Sequence, residues 1–202
     1  MSDLGGGAPR LLVAGSTGGI GSAVAEEAER GGCEVVRFDR ADFATLAERG
    51  LPDGPSFQAA VFAVGACAVR PFLQTTEADF AEAFAVNCLL FLRLVRALVK
   101  SRRLGRNSRL VAISSVSATE GWAGGTAYCA AKGALSAACR ALDVELAPRG
   151  IAVVALEPRW IRTRMFEETA GRMGVDPARA QRPEDFAREV LGTAFGAWPA
   201  KT

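Results

Sequence analysis

Short apolar runs of strand length recur along this chain, separated by stretches long enough for helices, and that alternation constrains the fold more than any other feature. The runs are 11–14, Glu34–Phe38, 59–64, 109–113 and Ile151–Leu156. Strands that alternate with helices argue for a parallel sheet covered on both faces, an α/β architecture. A helix over 20–29 follows the first run, closed by Gly31-Gly32. The segment 77–102 carries Phe80, Phe84, Phe91, Leu94 and Leu98 at helical spacing, with further leucines on its other sides, so it reads as one buried helix. Thr126–Leu146 is a second long helix, rich in alanine. Between Asp39 and Ala59 only a short helix over 43–49 and a Pro/Gly loop fit.

The 202 residues suit one domain over 1–202, in which 1–9 is a polar, glycine-rich and flexible lead-in. Half the residues are apolar, ample for a buried core, and the net charge of +2 is too small for an electrostatic nucleic-acid binder. The absence of histidine excludes histidine-based triads and zinc-histidine sites. Five cysteines, odd in number and without paired metal spacing, read as small buried hydrophobes in a reducing compartment, with no metal site. The most apolar stretch, near Val86, is broken by Asn87, Arg93 and Arg96, which argues against a membrane span and for a cytoplasmic protein.

The chemistry-bearing residues stand at the ends of these runs. After the first comes Gly15-Ser16-Thr17-Gly18-Gly19-Ile20-Gly21. A glycine-rich turn between strand and helix lets backbone N–H groups approach a pyrophosphate, aided by the positive end of the helix. Gly15 permits the turn, Gly19 the close approach and Gly21 tight helix–strand packing; Ser16, Thr17 and Ile20 add hydroxyl or amide donors. At the end of the second strand, Asp39 can accept hydrogen bonds from ribose hydroxyls, which favours NAD, while Arg40 keeps NADP open. Lys132 lies one helical turn after Tyr128 on the same face, where its charge can lower the phenol pKa. Ser115 precedes Tyr128 by thirteen residues, and Asn87 precedes Ser115 by twenty-eight.

In this order and spacing these residues resemble the short-chain dehydrogenase/reductase family, over 10–165 of the chain. The resemblance implies a doubly wound (Rossmann) parallel sheet, here with an abbreviated third-strand edge and no C-terminal seventh strand. It implies an oxidoreductase that moves a hydride between a nicotinamide cofactor and a ketone or secondary alcohol. Tyr128 would be the general acid/base and Ser115 the holder of the substrate oxygen. Lys132 would bind the nicotinamide ribose, and Asn87 the water that links Lys132 to solvent. Gly65 would lie beneath the adenosine ribose. Asp42-Phe43 resembles the family's adenine-contacting pair, a helix N-cap by Asp42 being the other reading. Pro158, Ile161 and Thr163 resemble the turn over the nicotinamide, with Arg159 where the family has glycine, and 159–181 would form a short substrate lid.

Trp122, Trp160, Met165 and Phe166 supply apolar surface on the substrate side, and Arg70, Arg159, Arg162 and Arg164 supply cations. The arginines suit an anionic or thioester-linked substrate, or are simply solvated. The two long helices either pack on the sheet or build a homodimer interface, as the family's equivalents do. Two alternatives stay open: a β-ketoacyl-thioester reductase, and a non-catalytic dinucleotide-binding sensor or scaffold.

Overall fold

Five parallel strands form one sheet: β1 (Arg10–Ala14), β2 (Glu34–Phe38), β3 (Phe57–Phe62), β4 (Leu104–Ile113) and β5 (Ile151–Leu156). Their order is β2-β1-β3-β4-β5. The computed structural model describes residues 7–51 and 53–196, so most of the expected N-terminal lead-in lies outside the described residues. The chain moves outward from β1 to β2, then crosses back over β1 to β3. That reversal opens a crevice at the C-terminal ends of β1 and β3, where ligands of open α/β sheets bind.

Side chains alternate along β1. Leu12 and Ala14 join the core beneath α2 (Arg40–Arg49), α4 (Leu90–Lys100) and α5 (Thr126–Leu146). Leu11 and Val13 join the opposite core beneath α1 (Gly19–Arg30) and α7 (Pro183–Phe195). Both faces are therefore covered, which is why these strands read as unbroken apolar runs rather than alternating ones. Phe62 and Phe91, ring centroids 5.4 Å apart, bind sheet to helix on the first face. A fully buried phenylalanine of this kind contributes about 1.5–3 kcal/mol.

Several boundaries differ from the sequence-based expectation. The short helix after β2 begins at Arg40 because the Asp42 carboxylate accepts a hydrogen bond from the Asp39 N–H at 2.6 Å, bracketing the helix start. No strand lies between β2 and β3 in the described residues, so the sheet edge is abbreviated as expected. β4 starts at Leu104, before the apolar run, with a register irregularity against β3 and a left-handed Asn107 (φ 66°). The expected helix over 77–102 is broken: α3 (Glu77–Phe84) and α4 flank a wider π-turn, Ala85–Leu89, that contains Asn87. Extra-residue turns of this type occur often at functional sites. α6 (Arg164–Met173) forms the body of the segment between β5 and α7.

Candidate active site

The turn after β1 is built as its glycines require. Gly15 has φ 85°, and a Cβ there would stand 2.9 Å from the Ala63 carbonyl carbon and the Val64 nitrogen, the backbone leaving β3. A Cβ on Gly21 would collide with the Gly15 carbonyl oxygen, and one on Gly19 would lie 2.7 Å from Thr163 Cγ2. Gly19 and Thr163 thus pack against each other at the edge of the cleft, with no room for a side chain at residue 19. The first turn of α1 points into this cleft, and its bare backbone suits the pyrophosphate of a dinucleotide.

Asp39 stands beside the glycine turn. Its carboxylate accepts hydrogen bonds from Ser16 Oγ (2.5 Å), Thr17 N (3.2 Å) and Thr17 Oγ1 (3.1 Å), which fix it beside the glycine turn. The hydroxyls of Ser16 and Thr17, read from the sequence as donors, are here given to Asp39. Arg40 is exposed in the first turn of α2. Asp42 serves the helix start, and the Phe43 ring is buried, packed edge-on against Phe38 at 4.9 Å. The structure therefore does not bring the Phe43 ring to the cleft.

Gly65 lies over the next pair: a Cβ there would be 3.1 Å from Asn87 Oδ1 and 3.5 Å from Lys132 Nζ. Asn87 is fully buried. Its amide donates to the Ala66 and Ala83 carbonyls, both at 2.9 Å, and accepts from the Ala66 N–H at 3.2 Å. The side chain thus clamps the loop after β3 to the π-turn.

Tyr128 and Lys132 sit one turn apart on α5, the ammonium 5.7 Å from the phenol ring centre. Lys132 is almost completely buried and donates to the Ile113 carbonyl at 2.9 Å. Burial is the largest influence on it and pulls its pKa down to about 8. Burial also raises the Tyr128 phenol well above its ordinary value; the neighbouring Cys67 and Cys129 thiols add to this, and a hydrogen bond from Ser115 opposes it. Desolvation is the largest influence on the phenol and outweighs the groups that would lower it. Ser115 caps the short turn Val116–Ala118, its Oγ accepting from the Ser117 N–H at 3.1 Å. The Ser115 hydroxyl proton remains free to be given to the phenol or to a substrate.

These groups line one cavity of about 290 Å³, which reaches Ile20 of the glycine turn, Pro158, Ile161 and Thr163. Over it lies the segment after β5. Its two feet are tied together by Arg162 N to Gln181 O and Gln181 N to Trp160 O, both at 2.8 Å. Phe166, Ala170 and Ala180 form a small core of their own with Trp160, Met173 and Val175. Thr163 caps α6 by accepting from the Phe166 N–H at 3.3 Å.

Sequence reasoning missed Cys67 and Glu120 among the lining residues, and gave Thr169, Met173 and Val175 only as part of the lid segment 159–181. The apolar ones are detectable as one face of α6 and its continuation. Glu120 has no signature, because its partner Arg159 lies thirty-nine residues away.

A family model described as enoyl-(acyl carrier protein) reductase matches residues 41–185. The short-chain reductase protein NovJ of Streptomyces niveus is 30% identical over 194 residues, covering 82% of this chain and 74% of NovJ. The 3-oxoacyl-[acyl-carrier-protein] reductase FabG of Haemophilus influenzae is 28% identical over 211 residues, covering 89% and 87%. A solved structure of the actinorhodin polyketide ketoreductase with NADPH superposes with a TM-score of 0.76 at 21% identity, covering 94% of this chain and 90% of that one. The chain belongs to the short-chain dehydrogenase/reductase family. It is an oxidoreductase that uses a nicotinamide cofactor. Among the described residues no helix is long and apolar enough to cross a membrane.

Proposed function

We propose that this chain reduces a ketone to a secondary alcohol, with Tyr128 as proton donor and NADH as the preferred cofactor. The observation that carries the reading is the convergence of Ser115, Tyr128 and Lys132 on one cavity that also reaches the glycine turn. The cofactor, when bound, supplies the hydride. Gly15, Gly19 and Gly21 hold its pyrophosphate, Asp39 its adenosine ribose, and Thr163 with the Ile161 backbone its nicotinamide end.

A phenol raised by burial stays protonated at neutral pH, which suits donation to the alkoxide that forms as the carbonyl accepts hydride. Ser115 donates to the same oxygen and positions it. Lys132, with its pKa near 8, is mostly charged at neutral pH and stabilises the phenolate left behind. Asn87 holds the loop carrying Gly65 over Lys132.

The Asp39 carboxylate beside the turn supports NADH, since it would repel a 2′-phosphate. The same reading takes the protein to be a cytoplasmic homodimer. Its five thiols are free, as a reducing compartment keeps them. Phe84 on α3 and Val144 on α5 stay 43% and 77% exposed, large apolar groups that a second copy would cover.

The test is Tyr128→Phe. Turnover of a reducible ketone should fall at least ~100-fold, the low end for positioned proton transfer. Cofactor binding, measured by calorimetry, should hold within about twofold, because only the hydroxyl is lost. Near-normal turnover in the variant removes Tyr128 from the chemistry.

A further inference from the structure

The charges lining the main cavity decide what it can accept. Lys132 has its ammonium turned to the Ile113 carbonyl, beneath the phenol. The other two charged linings are Glu120, on the loop after β4, and Arg159, on the loop after β5. They neutralise each other through a two-pronged pair, Arg159 NH2 to Glu120 Oε1 at 2.6 Å and NH1 to Oε2 at 3.0 Å. A backbone bond from the Val116 N–H to the Pro158 carbonyl, at 3.1 Å, ties the same two loops. Both terminal nitrogens of the Arg159 fork therefore already hold a carboxylate.

The other cations of this region are engaged elsewhere. Arg70 lies 3.7 Å from Asp79, Arg164 is 3.4 Å from Glu168, and Arg162 reaches the Pro177 carbonyl at 3.5 Å. Arg172 reaches the Val69 carbonyl at 3.4 Å and Arg179 lies 5.1 Å over the Trp160 ring, and none of the five lines the main cavity. The rest of its substrate-side wall carries no charge and is mostly apolar, Trp122, Trp160, Met165, Phe166, Met173 and Val175, with Cys67, Ser117 and Thr169 as its small polar groups. A volume of about 290 Å³ must also admit the nicotinamide end, since Ile20, Val64 and Ile113 line the same space. It is already at the lower limit of small-molecule sites, about 300–1,000 Å³.

We propose that the substrate is a compact, uncharged ketone with an apolar or aromatic body, and that the Glu120–Arg159 pair is a charge filter that turns carboxylates away. This rests on the ketone-reduction reading above and narrows its substrate. The pair is more than half exposed, so displacing Glu120 from the guanidinium costs little, as for surface ion pairs generally. The larger cost to an entering carboxylate is to lie unpaired against tryptophan and methionine. A neutral ketone meets neither cost. Ser115 and Tyr128 take its oxygen, and the lid takes its body.

The experiment compares methyl 4-acetylbenzoate with 4-acetylbenzoate, which share the aryl ketone and differ in charge and one methyl group. Binding of each to the protein, with the oxidised cofactor present so that no hydride can be delivered, is measured by calorimetry, which reads affinity without turnover. The ester should bind at least about tenfold more tightly than the acid, or about 1.4 kcal/mol. Glu120→Gln frees Arg159 and should narrow that ratio by about threefold or more, whereas Arg159→Ala leaves Glu120 unpaired and should widen it. Equal or tighter binding of the acid to the native protein overturns the proposal. So does failure of the ester to bind at millimolar concentration, or a ratio unmoved by both variants. If the ester binds preferentially but is never reduced, the charge filter stands and the oxidoreductase chemistry at this site fails.

Discussion

Asn87→Ala removes a side chain that is fully buried and makes three hydrogen bonds: two as donor, to the Ala66 and Ala83 carbonyls, and one as acceptor, from the Ala66 N–H. A buried polar group left without a partner costs about 1–3 kcal/mol. Ala66 is exposed, so water can reach its two groups and the lower figure applies to each. The Ala83 carbonyl and the small void left by the amide add about as much again. The expected loss is therefore about 2–4 kcal/mol, large against the ~5–15 kcal/mol of a typical domain but not enough to unfold it. At about 2–4 °C per kcal/mol for a chain of this size, the melting temperature should drop by about 5–15 °C. Differential scanning calorimetry reads this directly. Turnover should fall too, because the clamped loop carries Gly65 over Lys132. Asn87→Asp should be no better, since its second oxygen would face the two carbonyls that the amide now donates to. A melting temperature within about 2 °C of the parent, a loss under about 1 kcal/mol, would refute the clamp.

Other outcomes follow from the same geometry. Ketone reduction should be level below pH 8 and decline above it as the buried Lys132 ammonium, with its pKa near 8, loses its proton; in Lys132→Met a pH–rate profile should lack that limb and show much lower turnover. Because the pKa of Lys132 is depressed in the folded state, the unfolded chain binds more protons between about 8 and the ordinary 10.5. This one group should therefore make stability rise with pH across that window, and urea titrations of native protein and variant isolate its share. Asp39→Ala should weaken NADH and improve NADPH, each by about tenfold, since it removes the ribose acceptor and frees Arg40 for the phosphate; tighter NADPH binding by the native protein would show that Arg40 sets the choice. Phe84→Glu with Val144→Glu should convert a dimer to monomers in light scattering while leaving the melting temperature of the isolated subunit within a few degrees. A dimer that survives both changes uses another face.

The parallel sheet and the glycine turn were legible in the chain because each depends on local pattern, whereas the Asn87, Ser115, Tyr128 and Lys132 set was legible only through its resemblance to the family. Apolar runs such as Ile151–Leu156 announce strands buried on both faces, and Gly15, Gly19 and Gly21 stand where any side chain would strike backbone or Thr163. Tyr128 and Lys132 share a helix face through a spacing that needs no tertiary knowledge. What the tertiary structure decided lies in contacts between residues distant along the chain. Asn87 could be seen to interrupt an apolar helix, but not that it clamps Ala66 from within a π-turn. Phe43 looked available to a cofactor until packing against Phe38 and Phe62 turned its ring inward. The helical spacing of Tyr128 and Lys132 was legible, but not that burial is the largest influence on both, because burial is a property of the assembled core. Arg159 read as a free cation, and only the fold brings Glu120 to it. Spacing along a helix or strand fixes which neighbours share a face, whereas desolvation and long-range ion pairs depend on how separate loops meet over the sheet.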